Sequence, residues 1–137
     1  MKLKLKKVQY KGLTPKQQEN YNFHKLAAIL ADYGFDSIRL ANDWEGADFL
    51  ALHNNGDDII KVQLKGRLEI NKKYTQKNIY MAFPLNEEWY LIPHDELKEL
   101  VEKTTTYLNT ESWINKGEYN TTSPNEELRK ALEEYKL

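Results

Sequence analysis

Asp48, Gln63 and Lys65 are an acid, an amide and an amine that a β-hairpin can bring to one place. They lie in the stretch GADFLALHNNGDDIIKVQLKGR, Gly46 to Arg67, which reads as two β-rich runs joined by Asn-Asn-Gly-Asp-Asp. With Asn55-Gly56 as a two-residue hairpin loop, Asn54 faces Asp57, and counting back sets Asp48 opposite Gln63. The same register pairs Phe49 with Val62, Ala51 with Ile60 and Ala47 with Leu64, so one face is wholly apolar. A slip of one residue would mix polar and apolar groups on both faces, so the pattern selects this register. On the other face Lys65 lies diagonally across from Asp48, within reach of a long side chain. An acid, an amide oxygen and an ammonium group at one end of a hairpin suit metal-dependent hydrolysis.

The order Asp48, then Gln63-Leu64-Lys65 on the next strand, resembles the PD-(D/E)xK nuclease superfamily. That family includes many restriction enzymes, Holliday-junction resolvases and some intron-homing nucleases. The resemblance covers Thr14 to Val101 as organisation: a helix with an acid near its start, a strand, the hairpin, then further strand and helix. Two residues depart from the pattern. Ala47 stands where the family name has Pro, and Gln63 replaces the second carboxylate. The resemblance implies an α/β fold, a restriction-endonuclease-like core with a mixed central β-sheet and flanking helices. It further implies a nuclease using Mg²⁺ or Mn²⁺ on nucleic acid, with DNA as the expected substrate.

In that scheme Asp48, Gln63, Lys65 and Glu19 are catalytic, and the metal is held by Asp48, the Gln63 side-chain oxygen and the Leu64 carbonyl. A hard cation prefers such oxygens and retains several waters. Lys65 would orient or deprotonate the attacking water, or balance charge on the phosphate; all three roles stay open. Neutral Gln63 implies weaker metal affinity than two carboxylates would give, hence activity at millimolar metal. The competing expectation is a module on the same fold that has lost hydrolysis and binds nucleic acid or a protein partner. The retained Asp-x14-Gln-x-Lys spacing favours the enzyme.

Thr14-Pro15-Lys16-Gln17 is a helix start with Thr14 as cap, Pro15 at the first helical position and Gln17 closing a capping box. The helix should run to Tyr33 and stop at Gly34, with Phe23, Leu26, Ala27 and Leu30 on one face. Glu19 continues that stripe. It is either a carboxylate favoured by the helix dipole or an acid aimed at the site. If the helix covers the apolar hairpin face, Glu19 must reach around the sheet end.

Asp36 to Leu40 reads as a short strand with Ile38 and Leu40 inward, followed by a loop, Ala41 to Gly46. In that loop Asp43 and Glu45 are spare acids near Asp48, read as loop solubility with a ligand role as the alternative, and Trp44 is read as core. Residues after Gly66 form a polar, basic segment read as loop or short helix. Ile79 to Phe83 is a strand ended by Pro84, Trp89 to Ile92 the returning strand, and a helix opens at His94 with a capping or surface histidine. Thr104 to Thr122 reads as irregular, anchored by Tyr107, Trp113, Ile114 and Tyr119, before a last helix starting at Ser123-Pro124.

At 137 residues the chain is expected to be one domain, with a nuclease-like core over 14–103 and an extension over 104–137. No cysteine is present, which excludes disulfides, zinc-thiolate sites and a thiol nucleophile. The N-terminal Lys-Leu alternation is neither a signal peptide nor a span, and reads as an edge strand or basic arm. A soluble, cytoplasmic protein is the expectation.

Charge is unevenly distributed: residues 1–84 carry 14 cations against 9 acids, and residues 85–137 carry 6 against 12. Lys61, Lys65, Arg67, Lys72, Lys73 and Lys77 form a basic stripe that starts inside the site and suits phosphate contacts. Tyr74 among them reads either as a stacking platform or as a structural ring. One site per chain cuts one strand, so cleaving a duplex calls for a homodimer.

Overall fold

The computed structural model describes residues 2–137. In chain order the elements are helix α1 (Pro15–Asp32), strands β1 (Phe35–Trp44), β2 (Ala47–His53), β3 (Ile59–Leu64), β4 (Leu68–Asn71), β5 (Ile79–Leu85) and β6 (Glu88–Pro93), helix α2 (His94–Thr104), strand β7 (Glu118–Thr121) and helix α3 (Glu126–Leu132). Helix α1 begins as its sequence dictates. Thr14 accepts from the Gln17 amide at 3.2 Å, and the Gln17 side chain accepts from the Thr14 amide at 2.9 Å.

Five strands form one sheet in the order β1-β2-β3-β5-β6. Every neighbouring pair is antiparallel except β3 and β5, which are parallel, so the central sheet is mixed. Helix α1 covers one face, with Phe23, Leu26 and Leu30 packed against Phe49, Ala51, Val62, Ala82 and Trp89. The other face is covered by the C-terminal third of the chain together with β4. There Met81, Phe83 and Ile92 meet Leu68, Ile70, Leu97, Trp113, Leu128 and Leu132. β4 pairs antiparallel with β7 in a second, two-stranded sheet. This is the expected α/β architecture, a mixed central sheet with flanking helices. Among the described residues no helix is long and apolar enough to cross a membrane.

The β2–β3 register matches expectation, with Phe49 against Val62 and Ala51 against Ile60. The loop is wider than a two-residue turn. The His53 amide donates to Asp58 O at 2.8 Å, so Asn54 to Asp57 form the connection. Asn55 Oδ1 accepts from the amides of Asp57 and Asp58, and only Gly56 within the loop has a positive φ, +82°. Four loop residues preserve the same parity as two, which is why the register survives.

Several expectations are corrected. β1 runs through Trp44 instead of ending at Leu40, because Glu45 and Gly46 (φ +49° and +87°) make a tight two-residue turn into β2. Ile38 is 50 % exposed and Trp44 54 %, since the C-terminal cover packs over β5 and β6 and leaves this end of the sheet open. Pro84 lies within β5 opposite Trp89; its missing N–H falls on the side where β3 has already ended. Residues 68–71 and 118–121 are strands, not loop, because each supplies the other's hydrogen bonds. Ile114 is exposed, and the last helix is capped by Asn125, whose side chain accepts from the Leu128 amide at 2.8 Å. Residues 2–9 are exposed and make no strand.

His94 is also inward, 1 % exposed, and not a surface cap. Its Nε2 accepts from the Asn71 amide at 3.0 Å, and its Nδ1 lies 3.1 Å from Asp95 Oδ1. Burial lowers its pKa against the pull of Asp95, so the ring stays neutral with its proton on Nδ1. It ties β4 to the start of α2.

Gly46 is required twice over. Its φ lies in the left-handed region, and a Cβ there would stand 3.2 Å from the Tyr74 ring. Gly46→Ala should therefore lower stability by about 1–3 kcal/mol. A shift of the urea midpoint at unchanged slope would show it; an unshifted midpoint would mean that the turn relaxes freely.

Candidate active site

The site forms where β2 and β3 part. Their ladder stops at the Phe49–Val62 pair, and Asp48 and Gln63 are the next residues along the two strands. The Leu64 amide there donates to Asp48 Oδ2 at 2.9 Å, so a side chain continues what the backbone ladder leaves. Gln63 is 6 % exposed, and its Oε1 is buried without a hydrogen-bond partner. A buried acceptor left so costs about 1–3 kcal/mol, which marks it as waiting for a donor or a cation.

Asp43 joins from the other side. The Trp44–Ala47 pair, carried one step, sets Asp43 against Asp48, and the two carboxyl groups come within hydrogen-bonding contact. Burial, then the charge of Asp43, pushes the Asp48 pKa up to about 6 from its ordinary 3.8, against the opposing Leu64 amide and Lys65. Among the described residues no three His, Cys, Asp or Glu side chains converge as a metal cluster. The oxygen donors are two carboxylates and an amide, a set compatible with a hard dication that keeps several waters. The sequence signal for Asp43 was Glu45-Gly46, a pair of residues that tolerates the tight turn joining β1 to β2.

Lys65 follows directly after β3. Its amide donates to Ala82 O at 2.9 Å, its Nζ lies 3.1 Å from Glu69 Oε2, and it sits 5.9 Å from the Tyr74 ring centre. Burial alone would lower its pKa, but Glu69 and Tyr74 outweigh that and raise it above 10.5. Lys65 is therefore a permanent cation in the free protein. Glu69 escaped the sequence reading, although Leu68 and Ile70 around it alternate as a strand does.

The remaining candidates fall in different places. Glu19 stands on α1, across the sheet from Asp48. Its Oε1 is 2.9 Å from Arg39 Nη2 and 3.6 Å from Lys16, and it borders a cavity of about 190 Å³ with Leu64 and Gly66. Arg67, Lys72, Lys73 and Lys77 are exposed. Lys61 is committed internally, with Nζ 2.6 Å from Lys77 O and 3.4 Å from Glu45. Tyr74 is 3 % exposed and packs beneath Lys65 and Lys73, so its ring serves the core and leaves no free face for a base.

The arrangement is thus an α/β fold with a polar cluster at the splayed end of a hairpin inside a mixed sheet. Its fold is similar to that of several solved structures, among them two nucleases. One is a Holliday junction resolvase from the archaeal hyperthermophile Archaeoglobus fulgidus, 19% identical, TM-score 0.44, over 56% of this chain and 72% of that one. The other is a bacterial homing endonuclease, 16% identical, TM-score 0.44, over 82% of this chain and 78% of that one. No family model matches the sequence, and no curated protein matches it.

The raised Asp48 pKa has a consequence for stability. Between pH 3.8 and about 6 the folded metal-free protein holds a proton that the unfolded chain has lost, so this group's contribution falls as pH rises. Asp48→Asn removes the repulsion and the titration together. The variant should exceed wild type in urea midpoint at pH 7 and lose that advantage by pH 4. An advantage equal at both pH values would contradict the assignment.

Proposed function

We propose that this protein is a metal-dependent nuclease that hydrolyses phosphodiester bonds of DNA, acting in the cytoplasm. The observation that carries this reading is the buried, unpartnered Oε1 of Gln63 at the end of the sheet where Asp48 accepts from the adjacent Leu64 amide. Asp48, Gln63 and the Leu64 carbonyl would hold Mg²⁺ or Mn²⁺. When bound, the ion supplies Lewis acidity to the phosphoryl oxygens and to an attacking water.

The chain's own residues do the rest. In hydrolysis a water oxygen bonds to phosphorus as the bond to the leaving oxygen breaks, and negative charge grows on the phosphoryl group. Lys65, charged at neutral pH and steadied by Glu69 and Tyr74, would balance that charge or orient the water. Its raised pKa argues against its acting as the base. Exposed Arg67, Lys72, Lys73 and Lys77 would hold the strand by its phosphates. A homodimer would bring two such sites to the two strands of a duplex. Glu19 would take part only after releasing Arg39.

One observation favours the alternative of a binding module: the Lys65 ammonium is already paired with Glu69. Supercoiled DNA with Mg²⁺ or Mn²⁺ separates the two. Wild type should nick it, and Asp48→Asn or Lys65→Ala should lower the rate by about a hundredfold or more. Replacing Lys72 and Lys73 together should weaken binding for all sequences and reduce the salt slope by about two. Wild type that binds yet never cuts with either metal would establish the binding module. Asp48→Asn that cuts as well as wild type would move the activity elsewhere.

A further inference from the structure

β1, β2 and β3 each bring one oxygen-bearing side chain to the same end of the sheet. Asp48 on β2 is central, with Asp43 opposite it on β1 and Gln63 opposite it on β3. The Asp43 and Asp48 carboxyl groups are in hydrogen-bonding contact. Gln63, 6 % exposed, precedes Leu64 at the same end of the sheet, and its buried Oε1 has no hydrogen-bond partner. Two carboxylates in contact need a proton or a cation between them. A single proton can bridge the acids or be donated to Gln63, and either choice leaves one group unmet. A dication meets all three.

The local backbone is shaped to bring Asp43 here. Between the Arg39–Phe49 and Trp44–Ala47 pairs, four residues of β1, Leu40 to Asp43, stand against the single residue Asp48 of β2. A bulge of this kind re-aims side chains and is common beside active sites. The turn at Glu45-Gly46, pinned under Tyr74, then closes the hairpin on the far side of Asp43.

We propose that Asp43 is a direct ligand of the divalent cation and supplies the second carboxylate that Gln63 does not. This rests on the Asp48 end of the hairpin being a cation site. The ligand set is then Asp43, Asp48, the Gln63 amide oxygen and the Leu64 carbonyl, with the remaining positions left to water and phosphate, as Mg²⁺ and Mn²⁺ prefer. It removes the deficit of negative charge expected of an Asp-x14-Gln-x-Lys site. Asp43 is exposed while Asp48 and Gln63 are more enclosed, so the ion enters from the Asp43 side.

Titration of the metal-free protein with Mn²⁺ alone, followed by loss of the free-ion resonance, tests this without reference to cleavage. Wild type should bind one ion, Asp48→Asn should bind none, and Asp43→Asn should bind about tenfold or more weakly. Asp43→Ala, which offers no oxygen, should show at least the same loss. Glu45→Gln removes the same charge two residues away and should change affinity by less than about twofold, since an exposed charge is well screened. Mn²⁺ should also raise the unfolding midpoint of wild type more than that of Asp43→Asn. If Asp43→Asn binds like wild type while Asp48→Asn does not bind, the cation site stands and Asp43 is no ligand. An equal loss in Glu45→Gln would reduce Asp43 to a general field effect and overturn the proposal. If wild type binds no Mn²⁺, the cation site falls and the proposal with it.

Discussion

Period-two alternation along β2 and β3 is the constraint on which the rest depends. Phe49, Ala51 and Val62 face α1, and the residues between them therefore face away from it. With Phe49, Ala51 and Val62 inward, parity turns the neighbouring Asp48 and Gln63 away from α1, while Ala47, past the end of the ladder, packs with the opposite cluster. Burying one large apolar side chain is worth about 1.5–3 kcal/mol, so several together hold the register firmly. The polar cluster gets its geometry from that hydrophobic choice, not from attraction among its own members.

Left to themselves, those members oppose the fold. Asp43 and Asp48 repel, Gln63 Oε1 has no donor, and burial disfavours charge on Asp48. Such local conflict inside a consistent framework is where function is expected. The framework is rigid at this point for a stated reason: Tyr74 packs on Gly46 on one side and lies under Lys65 and Lys73. One buried ring thus packs against both the turn that follows Asp43 and the Lys65 side chain.

The C-terminal third completes the second face of the sheet and does more than cover it. β7 pairs with β4, β4 carries Glu69, and Glu69 fixes the Lys65 ammonium. His94 secures the far end of β4 by accepting the Asn71 amide. A chain of packed elements therefore runs from the last strand to the site. Residues 85–137 carry the acidic excess and supply elements that pack on the sheet face opposite α1, whereas Lys72, Lys73 and Lys77 are exposed on the segment after β4.

Within the sequence alone, the capped helix α1 and the β2–β3 register are legible. These rest on local chemistry and on parity, both visible within a short window. Tertiary structure alone decided the rest. Asp43 meets Asp48 only because a bulge and a left-handed turn reshape β1, and neither alters the hydrophobic pattern. Glu69 meets Lys65 only because β4 finds β7 some 50 residues later, a pairing that no local signal specifies. Glu19 sits beside Arg39 because α1 must cover the apolar face, and a helix on that face starts on the side of the sheet away from Asp48. His94 read as a capping or surface residue and Tyr74 as either a stacking platform or a structural ring, and long-range packing buried both.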